Sequence, residues 1–92
     1  MLTVVVPTFN EGKNIKNLVK QIDAALKDID YEILFVDDSK DNTPDIIRKV
    51  AKEYPSVRME HRENESGLAT AVLKGFRMAK GEYIACIDAD LQ

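Results

Sequence analysis

The stretch Leu2-Thr3-Val4-Val5-Val6 predicts a first β-strand, which Pro7 should close because proline has no N–H to continue a ladder. Apolar residues then recur at helical spacing, which predicts an amphipathic helix from about Glu11 to Asp28 with one face against a sheet. A second β-rich run follows at Tyr31–Val36. A strand–helix–strand unit of this length predicts two parallel strands joined by a right-handed crossover.

The same alternation continues through the middle of the chain. A second helix is expected to begin with Asn42 or Thr43 as its N-cap and to end before Pro55. Residues Val57–Arg62 alternate between apolar and polar side chains, as a strand with one solvated face does. We therefore expect this third strand to lie at an edge of the sheet.

A third helix and a fourth strand complete the pattern. Ser66 is the expected N-cap of the helix and Gly81 follows its end. The apolar face of this helix should consist of Leu68, Ala71, Val72, Gly75, Phe76 and Ala79. The run Tyr83–Ile87 is apolar throughout, which predicts a strand buried on both faces, with the single cysteine, Cys86, buried inside it.

This order of elements predicts an α/β fold, a Rossmann-like open parallel sheet with helices on both faces and strand order 3-2-1-4. The chain then reverses direction between strands 1 and 4, and ligands of such sheets bind at the carboxyl ends of the strands that flank the reversal. The fourth strand is an edge in this order, and later strands would be expected to cover it.

Composition limits the class of protein. The chain has 92 residues, enough for one small domain spanning residues 1–92, and its 45% hydrophobic and 32% charged residues are typical of globular proteins. The net charge is −3 with both signs interspersed, so no nucleic-acid partner is indicated. No apolar run approaches the roughly 20 residues of a membrane span, and no basic-then-apolar leader precedes the first strand. These features favour a cytoplasmic location.

Two aspartates, Asp88 and Asp90, follow the fourth strand directly. Side chains two residues apart on a strand point the same way, and two close carboxylates repel each other unless a cation lies between them. Hard oxygen ligands of this kind suit Mg²⁺ or Mn²⁺ with a phosphorylated ligand. An isolated Asp-x-Asp is more often a solvated turn or a helix cap after a strand, so the other turns at the same rim of the sheet must support the assignment.

Two further polar turns are expected at that rim. In the turn after strand 1, Phe9 could pack on a base, and the amides of residues 10–12 lie near a helix N-terminus. After strand 2, Asp37 or Asp38 could accept a hydrogen bond from a base N–H or a ribose hydroxyl. The chain contains no Gly-x-Gly-x-x-Gly after strand 1 and no Gly-Lys-Ser/Thr, which disfavours a Rossmann dehydrogenase and a P-loop NTPase.

Four blocks of the sequence resemble the family 2 glycosyltransferases of the GT-A fold, in the same order and at consistent spacing. They are Val4–Glu11, Val36–Thr43, Gly67–Ala71 with Gly75-Phe76, and Asp88–Gln92. The last two blocks are most similar to the polyprenyl-phosphate branch, the dolichyl-phosphate mannose or glucose synthases. The first turn departs from that branch in having Phe9 in place of its usual tyrosine. The turn Asp37-Asp38-Ser39 is one residue shorter than the commoner Asp-Asp-x-Ser.

The resemblance implies a role for each matching residue. The nucleotide-sugar would contact Pro7, Phe9, Glu11, Val36, Asp38, Asp88 and Ala89. The metal ion, Mg²⁺ or Mn²⁺, would be bound by Asp88, Asp90 and Gln92, with Asp90 also acting in catalysis. Asp88, Ala89 and Asp90 would together meet the sugar-diphosphate.

By the same resemblance, this chain is the donor-binding N-terminal part of a larger inverting glycosyltransferase. The full-length enzyme would transfer the sugar of a GDP- or UDP-sugar to an acceptor, expected to be a polyprenyl phosphate at the cytoplasmic face of a membrane. The acceptor pocket would lie downstream, so the chain alone is expected to be inactive.

Other classes of protein could also contain these motifs. A haloacid-dehalogenase-type phosphatase uses Asp-x-Asp, but at the end of its first strand, and a response-regulator receiver also carries its acidic pair there. A nucleotide-binding module without catalysis is the closest alternative, and turnover would distinguish it from an enzyme.

Overall fold

The structure is a computed structural model that describes residues 1–89. The elements alternate along the chain as β1 (Leu2–Thr8), α1 (Gly12–Leu26), β2 (Tyr31–Asp37), α2 (Thr43–Glu53), β3 (Val57–His61), α3 (Leu68–Met78) and β4 (Tyr83–Cys86). The four strands form one sheet in the order β3-β2-β1-β4, and every neighbouring pair is parallel. The predicted strand order is therefore confirmed.

The first strand is longer than predicted, because Pro7 and Thr8 continue it in register with Val36 and Asp37. The β1–β4 ladder has its last register pair at Val5, whose carbonyl accepts from the Ile87 N–H at 3.0 Å. The backbone N–H and C=O groups of every second residue face the same neighbouring strand, so Val5 and Pro7 both face β4. The β1–β4 ladder ends before Pro7, which has no N–H to donate. A proline is therefore compatible with this strand, because its missing N–H falls where the pairing with β4 ends.

Helices cover both faces of the sheet, as predicted. Apolar residues of α1 and α2 cover one face, on which the buried cluster contains Val4, Val6, Ile15, Leu18, Val19, Ile22, Ile33, Phe35, Ile47, Val50, Val57 and Ala89. On the other face α3 contributes Ala71 to a smaller cluster with Val5, Leu34 and Val36. The two central strands are thus buried on both sides, and they hold their carboxyl ends at one rim.

The third helix differs from its prediction at its cap and on its buried face. Its N-cap is Gly67 instead of Ser66, and the φ of 108° at this residue is a backbone conformation that glycine adopts readily. Only Ala71 and Gly75 of this helix are buried, and a Cβ at Gly75 would clash with a methyl group of Val5. Small residues therefore bring the helix close to β1, while Leu68 and Phe76 stay exposed.

The fourth strand was expected to be buried on both faces, and this prediction was wrong. Tyr83, Ile84 and Cys86 are exposed, and the strand ends one residue earlier than expected. The reason is its position at the edge of the sheet, where it pairs with β1. Cys86 is consequently an exposed thiol and not a buried hydrophobe. Among residues 1–89, no helix is long and apolar enough to cross a membrane.

Candidate functional site

A cavity of about 480 Å³ opens at the carboxyl ends of β1 and β4. It is lined by Pro7, Thr8, Phe9, Glu11, Asp38, Ser66, Gly67, Leu68, Ala71, Val72, Cys86, Ile87 and Asp88. The cavity lies where the strand order reverses, which is the usual place for ligands in open α/β sheets. Its walls come from the three turns predicted from the sequence and from the start of α3.

The structure brings five of the predicted site residues together around this cavity, namely Pro7, Phe9, Glu11, Asp38 and Asp88. Two others lie elsewhere, since the side chains of Val36 and Ala89 are fully buried in the core and do not line the cavity. Asp90 and Gln92, predicted as metal ligands, lie outside the residues that the structure describes.

The first turn is hydrogen-bonded to the second turn. The backbone N–H of Asn10 donates to Ser39 Oγ at 2.7 Å, and the N–H of Lys40 donates to Asn10 Oδ1 at 3.0 Å. Asn10 has a φ of 53°, a left-handed conformation that asparagine tolerates better than most residues. Within the first turn, the Phe9 N–H donates to Glu11 Oε1 at 3.1 Å, and the Phe9 side chain is 56% exposed.

Asp37 is fully buried beneath these turns and binds the protein itself. Its carboxylate accepts from Thr8 Oγ1 at 2.5 Å, from Ser39 Oγ at 2.6 Å and from the Ser39 N–H at 3.2 Å. His61 Nδ1, at the end of β3, lies 2.9 Å from Asp37 Oδ2. Ser39 Oγ also accepts a hydrogen bond from the Asn10 N–H of the first turn. Asp37 therefore stabilises the turns around the cavity, although it does not line the cavity itself.

Asp38 does line the cavity, and its carboxylate accepts two hydrogen bonds from a buried arginine. Arg62 Nε donates to Asp38 Oδ1 at 2.7 Å and Arg62 Nη2 donates to Asp38 Oδ2 at 2.6 Å. The Arg62 side chain is 2% exposed, and its hydrogen bond to Asp38 raises the pKa of the guanidinium above its ordinary value. This is a bidentate, charge-assisted pair, the strongest class of side-chain hydrogen bond in proteins.

Arg62 also reaches the start of α3. Its Nη2 donates to the Gly67 carbonyl and its Nη1 donates to Thr70 Oγ1, both at 3.2 Å. The sequence interpretation missed this residue, which was treated as the end of an edge strand. The predicted topology did contain a signal for this pairing. Neighbouring parallel strands end at the same rim of the sheet, so the ends of β2 and β3 place Arg62 beside Asp37 and Asp38.

Asp88 and Cys86 form the wall of the cavity beside β4. The Asp88 side chain is exposed, and with Glu11 it gives the cavity two further carboxylates of the hard-oxygen type. Among residues 1–89, no group of three or more His, Cys, Asp or Glu side chains is arranged to hold a metal ion. Partial burial, and then the charge of Asp88, raise the pKa of the Cys86 thiol.

Fold and site together define the class of protein: a Rossmann-like α/β domain with a polar ligand cavity at the switch point of its sheet. The model of the family described as Glycosyl transferase family 2 matches residues 3–92, and the chain belongs to this family. The chain is 41% identical to a dolichol-phosphate mannosyltransferase of Pyrococcus furiosus, over 99% of this chain and 26% of that protein. It is 43% identical to the dolichol-phosphate mannosyltransferase of Saccharomyces cerevisiae, over 98% of this chain and 35% of that protein.

Solved structures agree with this assignment. The crystal structure of S. aureus TarS 1-349 in complex with UDP-GlcNAc superimposes with a TM-score of 0.82 and 29% sequence identity, covering 97% of this chain and 26% of that chain. The structure of the same protein in complex with UDP gives a TM-score of 0.81. The GT-A type of fold expected from the sequence is thereby confirmed. The present chain spans about a quarter to a third of the length of these relatives.

Proposed function

We propose that this chain is the donor-binding part of an inverting glycosyltransferase and that the nucleotide-sugar binds in the cavity between β1 and β4. The observation that carries this proposal is the convergence of Phe9, Glu11, Asp38 and Asp88, which come from three separate turns, on one cavity. The match to a TarS structure that contains UDP-GlcNAc supports the same ligand class.

The chemistry of the cavity suits a nucleoside diphosphate. The exposed ring of Phe9 offers a flat face on which a base can stack. Each oxygen of a carboxylate has two lone pairs, so Asp38 can accept from a ribose hydroxyl or a base N–H while it holds Arg62. Asp88 lines the same cavity, where its carboxylate could bind a cation together with the diphosphate.

The cation is proposed to be Mg²⁺ or Mn²⁺, held by Asp88 together with Asp90 and Gln92. The exposed Asp88 carboxylate at the cavity fits such an ion, because these ions prefer oxygen ligands and leave positions for substrate phosphates. When bound, the cation would stabilise the negative charge of the leaving nucleoside diphosphate. Asp90, the residue expected to act in catalysis, would serve in this cation site.

For the full-length enzyme we propose a polyprenyl phosphate as the acceptor, a class supported by the dolichol-phosphate mannosyltransferases among the relatives. An oxygen of the acceptor phosphate would form a bond to the anomeric carbon as the bond from that carbon to the diphosphate breaks, with inversion. The acceptor is already anionic and needs no base to remove a proton. Because the chain spans about a quarter to a third of its relatives, we expect these residues to bind the donor and not to transfer the sugar.

Nucleotide binding at this cavity is directly testable by amide chemical shifts. We expect titration with UDP or GDP in the presence of Mg²⁺ to shift the amides of residues 7–11, 38 and 86–88, with weaker binding when Mg²⁺ is removed. Replacing Phe9→Ala should weaken binding by about 1 to 3 kcal/mol, the usual contribution of base stacking on an aromatic ring.

Phe76→Ala provides the matched control, since Phe76 is also exposed but does not line the cavity. The control should bind like the wild type. Chemical-shift changes confined to another surface, or equal affinities of the two variants, would refute the assignment of this cavity as the donor site.

A further inference from the structure

Two arginines join the third strand to α3 with nearly the same set of contacts. Arg58 donates two hydrogen bonds to the Glu32 carboxylate, from Nε at 2.7 Å and from Nη2 at 3.3 Å, and a third to the Met78 carbonyl at the end of α3. Arg62 donates two to the Asp38 carboxylate and a third to the Gly67 carbonyl at the start of α3. Each arginine therefore joins a carboxylate of β2, or of the turn that follows it, to one end of the same helix.

The two arginines differ in what their partners do. Asp38 and Gly67 both line the cavity, whereas neither Glu32 nor Met78 lines it. Arg62 therefore holds two walls of the cavity together, and Arg58 joins the corresponding elements at the opposite end of the sheet. Arg58 can therefore serve as a control. Its replacement should affect folding alone, whereas replacement of Arg62 should affect both folding and ligand binding.

The charge of the cavity gives Arg62 a second effect. Three carboxylates line the cavity, those of Glu11, Asp38 and Asp88, and within residues 1–89 none of its lining residues is a lysine, arginine or histidine. A nucleoside diphosphate is an anion, so the negative charge of a carboxylate near it is unfavourable. The buried Arg62 guanidinium, which also lies 3.6 Å from the exposed Glu65 carboxylate, offsets negative charge at Asp38.

We propose that Arg62 is a positioning residue of the nucleotide site, which orients the Asp38 carboxylate and fixes the start of α3 against it. The proposal rests on the proposed function, because Asp38 must contact the nucleotide for Arg62 to act through it. The planar guanidinium fork fixes both oxygens of Asp38, and so fixes the directions of the lone pairs that remain for a ligand. A lysine could supply the charge but not this two-point geometry.

The first test compares Arg62→Gln with Arg58→Gln by measuring the Kd for UDP and for GDP with Mg²⁺, and the denaturation midpoint of each variant. Both variants should be less stable than the wild type, since each leaves a buried carboxylate without its partner. Only Arg62→Gln should weaken nucleotide binding, by about tenfold or more, equivalent to about 1.4 kcal/mol. Arg58→Gln should bind within about twofold of the wild type, as expected for a site far from the ligand.

Arg62→Lys, the second variant, keeps the positive charge. It tests the positioning role of Arg62 even if Arg62→Gln does not fold. It should bind the nucleotide more weakly than the wild type and more tightly than Arg62→Gln, because one ammonium cannot replace the fork. An affinity of Arg62→Lys equal to that of the wild type would overturn the proposal.

A double-mutant cycle with Asp38→Asn separates positioning from a general structural effect. If Arg62 acts mainly through Asp38, then Arg62→Gln should change the Kd by clearly less in the Asp38→Asn background than in the wild type, so the two effects are not additive. Full additivity, or nucleotide binding by Arg62→Gln equal to the wild type, would overturn the inference alone. A wild-type protein that binds neither nucleotide would overturn the proposed function, and the inference with it.

Discussion

Two adjacent aspartates at the end of β2 show how strongly the environment of a residue decides its role. Asp37 is fully buried and its carboxylate is occupied by Thr8, Ser39 and His61, whereas Asp38 faces the cavity and is held by Arg62. The sequence left the choice between the two open, because both are carboxylates at the same strand end. Only the tertiary contacts separate the residue that supports the turns from the one that can contact a ligand.

Cys86 is a natural probe of the cavity, because it is the single cysteine and it lies exposed in the cavity wall. Bound nucleotide should cover it. We expect alkylation of Cys86 to slow by about tenfold when UDP or GDP with Mg²⁺ is present at about ten times its Kd, since the rate follows the unliganded fraction. Mass spectrometry of the labelled protein over time measures this rate, and unchanged labelling at saturation would place the nucleotide elsewhere.

The same thiol reports the charge of Asp88. Since the thiolate is the reactive form and the Cys86 pKa is raised, the alkylation rate should keep increasing with pH beyond the ordinary range for a cysteine. Asp88→Asn removes one cause of the raised pKa, so this variant should react faster than the wild type at a fixed pH. Asp28→Asn, an exposed aspartate after α1, is the matched control and should react like the wild type.

At the scale of elements, a hydrogen-bond network around Glu32 joins three strands to the loop after α3. The Glu32 carboxylate accepts from Thr3 Oγ1 at 2.6 Å, from Arg58, and from the Lys80 N–H at 2.8 Å. Burial alone would raise the pKa of Glu32, but these hydrogen bonds and the charge of Arg58 outweigh it and lower the pKa to about 2. The network thus fixes the end of the sheet that lies opposite the cavity.

Glu32→Gln should therefore reduce the free energy of unfolding at neutral pH by about 1 to 3 kcal/mol, because the change leaves Arg58 without its charged partner. The stabilisation is fully present above the ordinary glutamate pKa of 4.5 and disappears as the pH falls toward 2. Urea denaturation at pH 7 and at pH 3 should show the gap between wild type and variant narrowing at the lower pH.

Glu53→Gln is the control for this comparison. Glu53 is exposed and its contact with Lys16 is long, at 3.8 Å, so the substitution should change stability by less than about 0.5 kcal/mol. A gap between wild type and Glu32→Gln that stays constant from pH 7 to pH 3 would contradict the lowered pKa.

Most elements could be predicted because their signals are local. Apolar spacing and β-branched runs identified every strand and helix, and the crossover rule then fixed their order in the sheet. The exceptions depend on contacts with other elements: Pro7 stays inside β1 because β4 has already ended beside it, and α3 starts at Gly67, a residue with positive φ. The pairing of Arg62 with Asp38 joins residues 24 positions apart, so spacing along the chain gives no indication of it.

At the scale of the whole molecule, β4 and α3 both carry large apolar side chains that are exposed. Tyr83 is 71% exposed and Ile84 41% on β4, while Leu73 and Phe76 of α3 are also exposed. Strand β4 is an edge of the sheet formed by residues 1–89, and exposed edges with apolar side chains can pair with another chain. This surface is a direct consequence of the strand order, since the order places the most apolar strand outermost.

We therefore expect the protein to self-associate through β4 at high concentration, or to show fast amide exchange there. Sedimentation velocity over a range of concentrations should reveal association, and Ile84→Lys should suppress it because a charge at an edge strand opposes pairing. Ile29→Lys alters another exposed isoleucine, in the turn before β2, and should leave the association unchanged. If the protein is monomeric, hydrogen exchange should be fast in β4 and slowest in β1 and β2, which have paired neighbours on both sides. Strong protection of residues 83–86 in a monomer would contradict the position of β4 at the edge.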